Sequence, residues 1–179
     1  MSSDDGSISC RRPSLVDASQ LAQVATSAWQ VGFRGLLPQP FLDGLDPARS
    51  RDRWESDLGP QRVGPPHFLV AEVHSVVCAF SVFGPSRDDD ASPNVAEVLA
   101  LHVIPTSWGR GVGSTLLRHT LEQLRASGFA GASLWVIDGN ARARRFYEHQ
   151  GWNLDGTERT SARIADSPLR ELRYRVALT

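Results

Sequence analysis

Apolar and polar residues first follow the pattern of a short strand and then that of a helix. Residues 8–12 are predicted to form the strand, and Asp17 is a candidate N-cap for the helix. A second short helix is predicted from Asp46 through Trp54 to Leu58, after a segment that Gly and Pro interrupt. The apolar positions of the first helix recur at helical spacing, and they are Leu21, Val24, Ala25, Ala28 and Trp29.

The middle of the chain has the short apolar runs of β-strands. Residues 68–73 and 76–84 are rich in β-branched and aromatic side chains and lie close together, which predicts an antiparallel hairpin. The next segment, residues 85–94, is a solvated loop by composition, and its three aspartates are interpreted as an exposed tip rather than a metal site. A further strand is predicted from Val95 to Pro105.

Residues 107–117 read SWGRGVGSTLL and place three glycines where a strand gives way to a helix. The first N–H groups of a helix lack intrahelical partners and its dipole is positive there, so an anion can dock on bare backbone. Glycine also permits the dihedral angles that aim several amides at one point. The pattern therefore favours a phosphate site, with a tight turn that packs closely as the alternative. The apolar face of the helix, which is predicted to end at Gly128, consists of Val112, Leu116, Leu117, Leu121 and Leu124.

Two familiar phosphate-binding loops do not fit this segment. A P-loop needs Gly-Lys-Ser/Thr, and the sequence contains no lysine. A dinucleotide-binding G-x-G-x-x-G loop fails as well, because counting from Gly109 or Gly111 puts Ser114 or Leu116 at the third glycine position. The predicted phosphate ligand is therefore of another kind.

The segment after this helix repeats the order of strand and helix. Residues 131–138 have a strand pattern, and Asn140 is the candidate N-cap of a short helix that Gly151 ends. One face of that helix carries Ala143, Phe146 and Tyr147. Residues 152–164 and 169–178 are predicted to form a final hairpin, which either completes a sheet or joins a homodimer.

These residues resemble two motifs of the GNAT superfamily of N-acetyltransferases. The family's cofactor motif, Gln/Arg-x-x-Gly-x-Gly/Ala, aligns with residues 108–113, although Trp108 stands where the family has Gln or Arg. A later motif, Asn-x-x-Ala-x-x-Phe-Tyr-Glu-x-x-Gly-Phe, aligns with residues 140–152. The resemblance covers about residues 68–155. It implies a mixed α/β (α+β) fold in a single domain over residues 1–179, in which a central, mostly antiparallel sheet splays around the cofactor and is flanked by helices.

The resemblance implies acetyl-CoA as the acetyl donor, bound mainly through backbone groups. The end of the strand before the glycines, Leu101, His102 and Val103, would pair with the amide-rich pantetheine arm like an extra strand. The Val103 amide would polarise the acetyl carbonyl as negative charge forms on it, and Asn140 would contact the cofactor arm. The substitution at Trp108 implies weakened or rerouted phosphate binding at most. The residues implied to cradle the pyrophosphate of CoA are Gly109, Arg110, Gly111, Val112, Gly113 and Ser114.

Two residues are candidates for acid and base chemistry. Tyr147 aligns with a family tyrosine whose hydroxyl protonates the departing CoA thiolate, and plain packing on the apolar helix face is the alternative. Glu97 is a candidate base, because a carboxylate among apolar residues of a central strand is costly unless it is paired or functional. Period-two alternation puts Glu97 on one face with Leu101 and Val103, and a bulge in the strand would change that phase. His102 is the alternative base.

The resemblance also implies that the acceptor is a primary amine of a small molecule or of a peptide or protein. In the family fold the acceptor site lies between the early helices and the late strands. This placement makes Trp29, Phe33 and Arg34 candidate wall residues, with core packing as the alternative for Trp29. A function of another class stays open as well, namely a non-catalytic module that binds acyl-CoA as a sensor or within an assembly.

Composition narrows the function classes further. The 179 residues are 41% hydrophobic and 22% charged with a net charge of −1, which predicts one globular domain and does not indicate nucleic acid or a membrane as partner. No apolar run approaches a membrane span and the first residues lack the order of a signal peptide, so a cytoplasmic location is expected, with residues 1–6 disordered. Two cysteines and five scattered histidines give neither a disulfide framework nor metal-ligand spacing, so no metal is expected.

Overall fold

The computed structural model describes residues 7–161 and 168–178, which form one seven-stranded sheet with helices on both faces. The expected disorder of residues 1–6 and the predicted strand end at residues 162–164 lie outside the described residues. The strands are β1 (Ile8–Arg11), β2 (His67–Val73), β3 (Val76–Pro85), β4 (Val95–Val103), β5 (Gly131–Ile137), β6 (Asn153–Ser161) and β7 (Leu169–Ala177). The helices are α1 (Ala18–Gly32), α2 (Gln39–Asp43), α3 (Pro47–Asp57), α4 (Val112–Ala126) and α5 (Ala141–His149).

The strand order in the sheet is β1-β2-β3-β4-β5-β7-β6. Neighbouring strands pair antiparallel except β4 and β5, which run parallel because α4 carries the chain across the sheet between them. The prediction of a mixed, mostly antiparallel sheet flanked by helices is confirmed. The tail forms the predicted hairpin of β6 and β7, which completes the sheet beside β5.

Each face of the sheet has its own apolar core. On one face α4 buries Leu116, Leu117 and Leu124 against the central strands. On the other face α1 and α3 cover the sheet, and the Trp54 ring meets Phe80 edge-on at a centroid distance of 4.8 Å. Burial of each such side chain contributes about 1.5–3 kcal/mol, so both helical layers hold β3 and β4 in place. Within the described residues, no helix has the length and apolar character to cross a bilayer.

Capping residues set the ends of several helices. The sequence predictions differ from the structure at the start of α1 and in missing α2. Asp46 caps α3 by accepting from the N–H of Ala48 at 2.8 Å, and Gly128 follows α4 with a φ of 89°. The predicted cap role of Asp17 at α1 is wrong, because its carboxylate instead accepts from Arg11 and from the Ser14 N–H, and these bonds lower its pKa to about 2. The apolar pattern does not predict α2, because its five residues are too few to show a period.

The loop between β3 and β4 is held by ion pairs. The Arg173 side chain on β7 is only 4% exposed, and its guanidinium donates to Asp88 at 3.2 Å and to Asp90 at 2.6 and 2.7 Å. Trp135 donates from Nε1 to Asp88 at 2.9 Å. The interpretation of the aspartates as an exposed tip is therefore wrong for Asp88, whose side chain is 8% exposed. Asp90 is exposed as expected and also pairs with Arg173, because a buried guanidinium needs carboxylate partners.

Candidate active site

A cavity opens where β4 and β5 stop pairing. The two parallel strands are in register only from Val95 to Glu97 on β4 and from Gly131 to Ser133 on β5. Beyond this short paired base the strands separate, and residues 98–103 and 134–137 line a cavity of about 530 Å³. The strand end and the helix N-terminus identified in the sequence both border this opening.

A bulge on β4 decides which side chains face the cavity. Val82 on β3 lies opposite Ala100 and Phe83 lies opposite Val98, so Leu99 has no partner on β3. Before the bulge, Ala96 and Val98 pack towards α4, and after it Leu101 and Val103 do so, whereas Ala100 packs towards α1. Glu97 and Leu101 therefore point to opposite faces. The prediction that they share a face is wrong, because the bulge shifts the phase by one residue.

The peptide groups at the end of β4 divide between the two sides of the strand. The N–H of Ile104 donates to Cys78 O at 2.8 Å, towards β3. Since successive residues of a strand direct their peptide groups to alternate sides, those of Val103 and Leu101 point to the open side facing β5. The carbonyl of Val103 already accepts a bond of 2.7 Å from the indole Nε1 of Trp108. The N–H of Val103 and both peptide groups of Leu101 thus remain for a ligand in the cavity.

The three glycines of the turn have different conformational roles. Gly109 and Gly111 have φ values of 72° and 80°, in the left-handed region that glycine adopts without strain. A Cβ at Gly109 would meet no protein atom within 4 Å, so the space beside it is free, whereas a Cβ at Gly113 would lie 3.4 Å from Phe146 and Val103. Gly109 and Gly111 therefore fit an open anion cradle, and Gly113 fits the packing alternative as well.

The remaining residues of this turn differ in how they meet the cavity. Gly109, Gly111, Gly113 and Ser114 line it, and α4 begins directly after Gly111 at Val112. Val112 is buried beneath the helix, and Arg110 is exposed; neither side chain lines the cavity. The cradle is accordingly formed by the backbone, in keeping with helix N–H groups that have no intrahelical partner.

The helix α5 brings an amide and a phenol to the other wall. Asn140 lines the cavity and caps α5, since its side chain accepts from the N–H of Ala143 at 3.1 Å. Tyr147 also lines the cavity, is 8% exposed, and packs edge-on against the rings of Phe146 and Trp152. Burial raises the pKa of the Tyr147 phenol, so the hydroxyl keeps its proton at neutral pH.

Aromatic side chains from α1 close the cavity on the face opposite α4. The rings of Trp29 and Phe33 stack at 4.7 Å, and both lie within 6.4 Å of the His102 ring. Burial, with a smaller contribution from the nearby Arg142 charge, lowers the pKa of His102 to about 4, so the imidazole is neutral at pH 7. Arg34 is exposed, bridges to Leu37, and does not line the cavity.

Glu97 lies in the paired base of the two strands and not in the cavity lining. Its side chain is 3% exposed and accepts from the Arg87 backbone N–H, Nε and Nη2 at 3.1–3.2 Å. A buried carboxylate that is costly when alone is thus paired, which was the structural alternative that the sequence left open. The structure brings His102, Val103 and Tyr147 together at the cavity and leaves Glu97 outside it.

Trp135, Glu171 and Trp108 are among the lining residues that no sequence signal assigned to the cavity. Trp135 and Glu171 belong to β5 and β7, and the Glu171 carboxylate accepts from Arg159 Nε at 2.7 Å. Trp108 and Arg142 lie at the mouth, with the guanidinium over the indole ring at 3.3 Å. The departure of Trp108 from the family motif was a local clue, whereas Glu171 is placed here by the strand order. No group of three or more metal-ligating side chains occurs within residues 7–161 and 168–178.

The shape and chemistry of this cavity define a class of enzyme. The glycine turn at the start of α4, the open edge of β4 and the protonated Tyr147 phenol all line it. This combination suits a long ligand that has a phosphate group, an amide-containing arm and a reactive acyl group, as acyl-CoA has. The residues present therefore fit acyl-CoA, and the class is that of acyl-CoA-dependent transferases.

Comparison with known proteins gives the family. A model of the acetyltransferase (GNAT) family matches residues 29–152, and the chain belongs to this family. It is 29% identical over 151 residues to a probable N-acetyltransferase of Mycobacterium tuberculosis, covering 83% of this chain and 82% of the relative.

Two solved structures have a similar fold. One is PaiA N-acetyltransferase from Thermoplasma acidophilum in complex with coenzyme A, with a TM-score of 0.73, 20% identity and coverage of 93% of this chain and 98% of that one. The other is YncA from Salmonella typhimurium with its cofactor acetyl-CoA, with a TM-score of 0.69, 19% identity and coverage of 96% and 94%. Together with the family match, they confirm the fold and the enzyme class that the two motifs implied.

Proposed function

We propose that this enzyme transfers an acetyl group from acetyl-CoA directly to a primary amine of a small molecule or a peptide. The observation that carries the proposal is the cavity between β4 and β5, which both the glycine turn and Tyr147 line. In this proposal donor and acceptor enter from different faces, because the glycine turn lies at α4 whereas Trp29 belongs to α1 and Phe33 follows it directly. A cavity reached from two faces suits direct transfer between two bound substrates.

In this proposal the donor is held by backbone groups and supplies an activated thioester. Gly109 and Gly111 admit the pyrophosphate to the amides at the start of α4. The free peptide groups of Leu101 pair with the pantetheine arm, and Asn140 contacts the same arm from α5. The Val103 carbonyl takes no part in that pairing, because Trp108 already donates to it.

Two groups handle the charge that develops during transfer. The N–H of Val103 points to the open side of β4 and stabilises negative charge on the acetyl oxygen. The Tyr147 hydroxyl gives its proton to the departing thiolate. Its raised pKa keeps the phenol protonated until the thiolate forms beside it.

We assign the proton acceptor for the amine to His102 rather than to Glu97. His102 lines the cavity beside the rings of Trp29 and Phe33, and its lowered pKa keeps the imidazole neutral, so an unprotonated ring nitrogen faces the amine. That nitrogen takes up the proton, directly or through water, as the attacking amine becomes acidic on forming the new C–N bond. Glu97 is occupied by Arg87 in the paired base of the strands. Amines that are already neutral at the working pH should therefore react fastest.

The experiment that tests this function is a thiol-release assay with acetyl-CoA and a panel of primary amines. An active enzyme releases CoA only when a suitable amine is present, and the acetylated amine appears in equal amount. Acetyl-CoA at about 100 times its dissociation constant should also stabilise the fold by about 2.7 kcal/mol. Thermal stabilisation without amine-dependent CoA release would favour the non-catalytic binding module, and a protein that shows neither effect would contradict both functions.

A further inference from the structure

Arg142 presents a positive charge to the cavity without a carboxylate to balance it. It belongs to the first turn of α5 and lines the cavity, and its guanidinium lies flat on the indole of Trp108 at 3.3 Å. No ion pair joins it to any Asp or Glu within residues 7–161 and 168–178. Partial burial lowers the pKa of the Arg142 guanidinium, and the residue is exposed enough for a ligand to reach it.

Other arginines on this side of the sheet are paired. Arg144, two positions further along α5, binds Asp138 at 2.9 Å, and Arg159 binds Glu171 at 2.7 Å. Arg173 is surrounded by aspartates. Arg142 differs from these three arginines because it lines the cavity without an ion-pair partner among the described residues, so a ligand in the cavity can supply the anion.

The guanidinium of Arg142 lies on the side of the cavity where the rings of Trp29 and Phe33 form the proposed acceptor wall. A Cβ added to Gly32 at the end of α1 would come within 2.9 Å of an Arg142 terminal nitrogen, so the guanidinium lies directly against that backbone. Gly32 adjoins Phe33, one of the two rings at the acceptor wall, and the Arg142 charge acts on His102. Trp108 covers one face of the planar group and Gly32 lies beyond one of its terminal nitrogens, so the N–H groups that remain along its edge are the ones that can meet a ligand.

We propose that Arg142, held between Trp108 and Gly32, binds a carboxylate of the acceptor, so that the preferred substrates are amino acids with a free α-carboxylate. This inference rests on the proposed N-acetyltransferase function and names its substrate class. The aromatic rings beside His102 favour an apolar side chain on that amino acid. Trp108 acts as a positioning residue, since it offers the indole face on which the guanidinium rests.

The test compares L-amino acids that have apolar side chains with their carboxamides, which lack the negative charge. In Arg142→Gln, kcat/KM for the amino acids should fall about 10- to 100-fold, the cost of losing a charged hydrogen bond, while the carboxamides change little. The ratio of variant to wild type is taken for each substrate, because the two amine types differ in pKa. Arg118→Gln, on the exposed face of α4, is the matched control and should leave both ratios near one.

Gly32→Ala tests the position of the guanidinium while keeping its charge. The added methyl group displaces the end of Arg142, so preference for the carboxylate should drop although alanine is favourable in a helix. Calorimetry of amino-acid binding to the CoA-loaded protein gives a readout without turnover, and binding is expected for the wild type and lost in Arg142→Gln.

Three results would overturn the inference. Equal losses for amino acids and carboxamides would assign Arg142 a role unrelated to the carboxylate. Weaker binding of CoA itself to Arg142→Gln would place the anion on the donor. Failure of the wild-type, CoA-loaded protein to bind any of the amino acids would reject the substrate class, whereas acetylation of other amines in the same assay would leave the proposed N-acetyltransferase function standing.

Discussion

Strands β4 and β5 are hydrogen-bonded to each other at one end, the paired base, and are separated at the other, the open end. At the base, three residues of each strand are in register, and Ala96 and Ala132 are fully packed. Past the Leu99 bulge the same strands separate and expose peptide groups to the cavity. Peptide groups that are not paired between the strands at the open end are available to a ligand, because unpaired strand edges bind extended partners.

The ionisable groups follow the same division. At the base, the Glu97 carboxylate is paired with Arg87. At the open end, burial lowers the pKa of His102 and raises the pKa of Tyr147, so both groups are neutral at pH 7. Arg142 has no carboxylate partner among the described residues. Charges at the base serve stability, and groups at the open end are kept ready for a ligand. Each substitution below should therefore affect one of these two properties.

The largest expected effect is on chemistry at the open end. Tyr147→Phe keeps the ring that packs on Phe146 and Trp152 and removes only the proton donor. The single-turnover rate should fall by about 10²-fold or more, while the dissociation constant of acetyl-CoA and the melting temperature change little. Rapid-quench measurement under single-turnover conditions avoids masking by slow product release. A variant with a near-normal rate would show that Tyr147 only packs.

The next effect concerns stability at the base. Glu97→Gln weakens the bonds from Arg87 and should lower the free energy of unfolding by about 2 kcal/mol in urea titrations. The matched control is Glu122→Gln, because Glu122 also pairs with an arginine but on the exposed surface of α4, where the loss should be under about 0.5 kcal/mol. The activity of folded Glu97→Gln should be near normal at every pH. A defect that disappears at high pH would instead restore Glu97 as the base.

The effect that is smallest at neutral pH is a loss of stability on acidification that arises from His102. In the unfolded chain this imidazole takes up a proton near pH 6.5, whereas in the fold it does so only near pH 4. Above pH 6.5, His102 should therefore not affect the free energy of unfolding. As the pH is lowered from 6.5 towards 4, the unfolded chain binds the proton first, and the free energy of unfolding should fall by about 1.4 kcal/mol per pH unit. Asp17, with a pKa lowered to about 2, acts below this window.

A variant comparison isolates this contribution of His102 from other titrations. His102→Gln should have a flatter stability curve between pH 6.5 and about 4, and His149→Gln, at an exposed position of α5, should keep the wild-type slope. Equal slopes for the wild type and His102→Gln would indicate that the imidazole takes up its proton in the folded cavity as readily as in the unfolded chain.

Local patterns predicted the parts of this site that lie within one or two adjacent elements. The glycine turn, the Asn140 cap and the position of Tyr147 on α5 follow from residues that are neighbours in sequence, because helix starts and faces are set by short-range geometry. The bounds of nearly all strands were predicted for the same reason. The functional roles of these residues stay predictions that the variants above address.

Features that depend on distant segments were not predictable from the pattern. A one-residue bulge at Leu99 reverses every later side chain of β4, and nothing in the alternation of that strand marks it. The partner of Glu97 lies in a loop whose composition indicated only exposure. Glu171 reaches the cavity because β7 lies beside β5, a matter of strand order, which periodicity does not encode.

The strand order also has a consequence for how the molecule assembles. β7 is the last described strand in the chain, yet it lies between β5 and β6. While the polypeptide is being synthesised, β5 has a free edge until residues 169–177 emerge, so the sheet closes only after β7 has been made. Pairing that joins such distant segments is slow, and the exposed edge of β5 is open to association with other nascent chains in the interval. Production of this enzyme should therefore depend on how quickly the hairpin of β6 and β7 is completed.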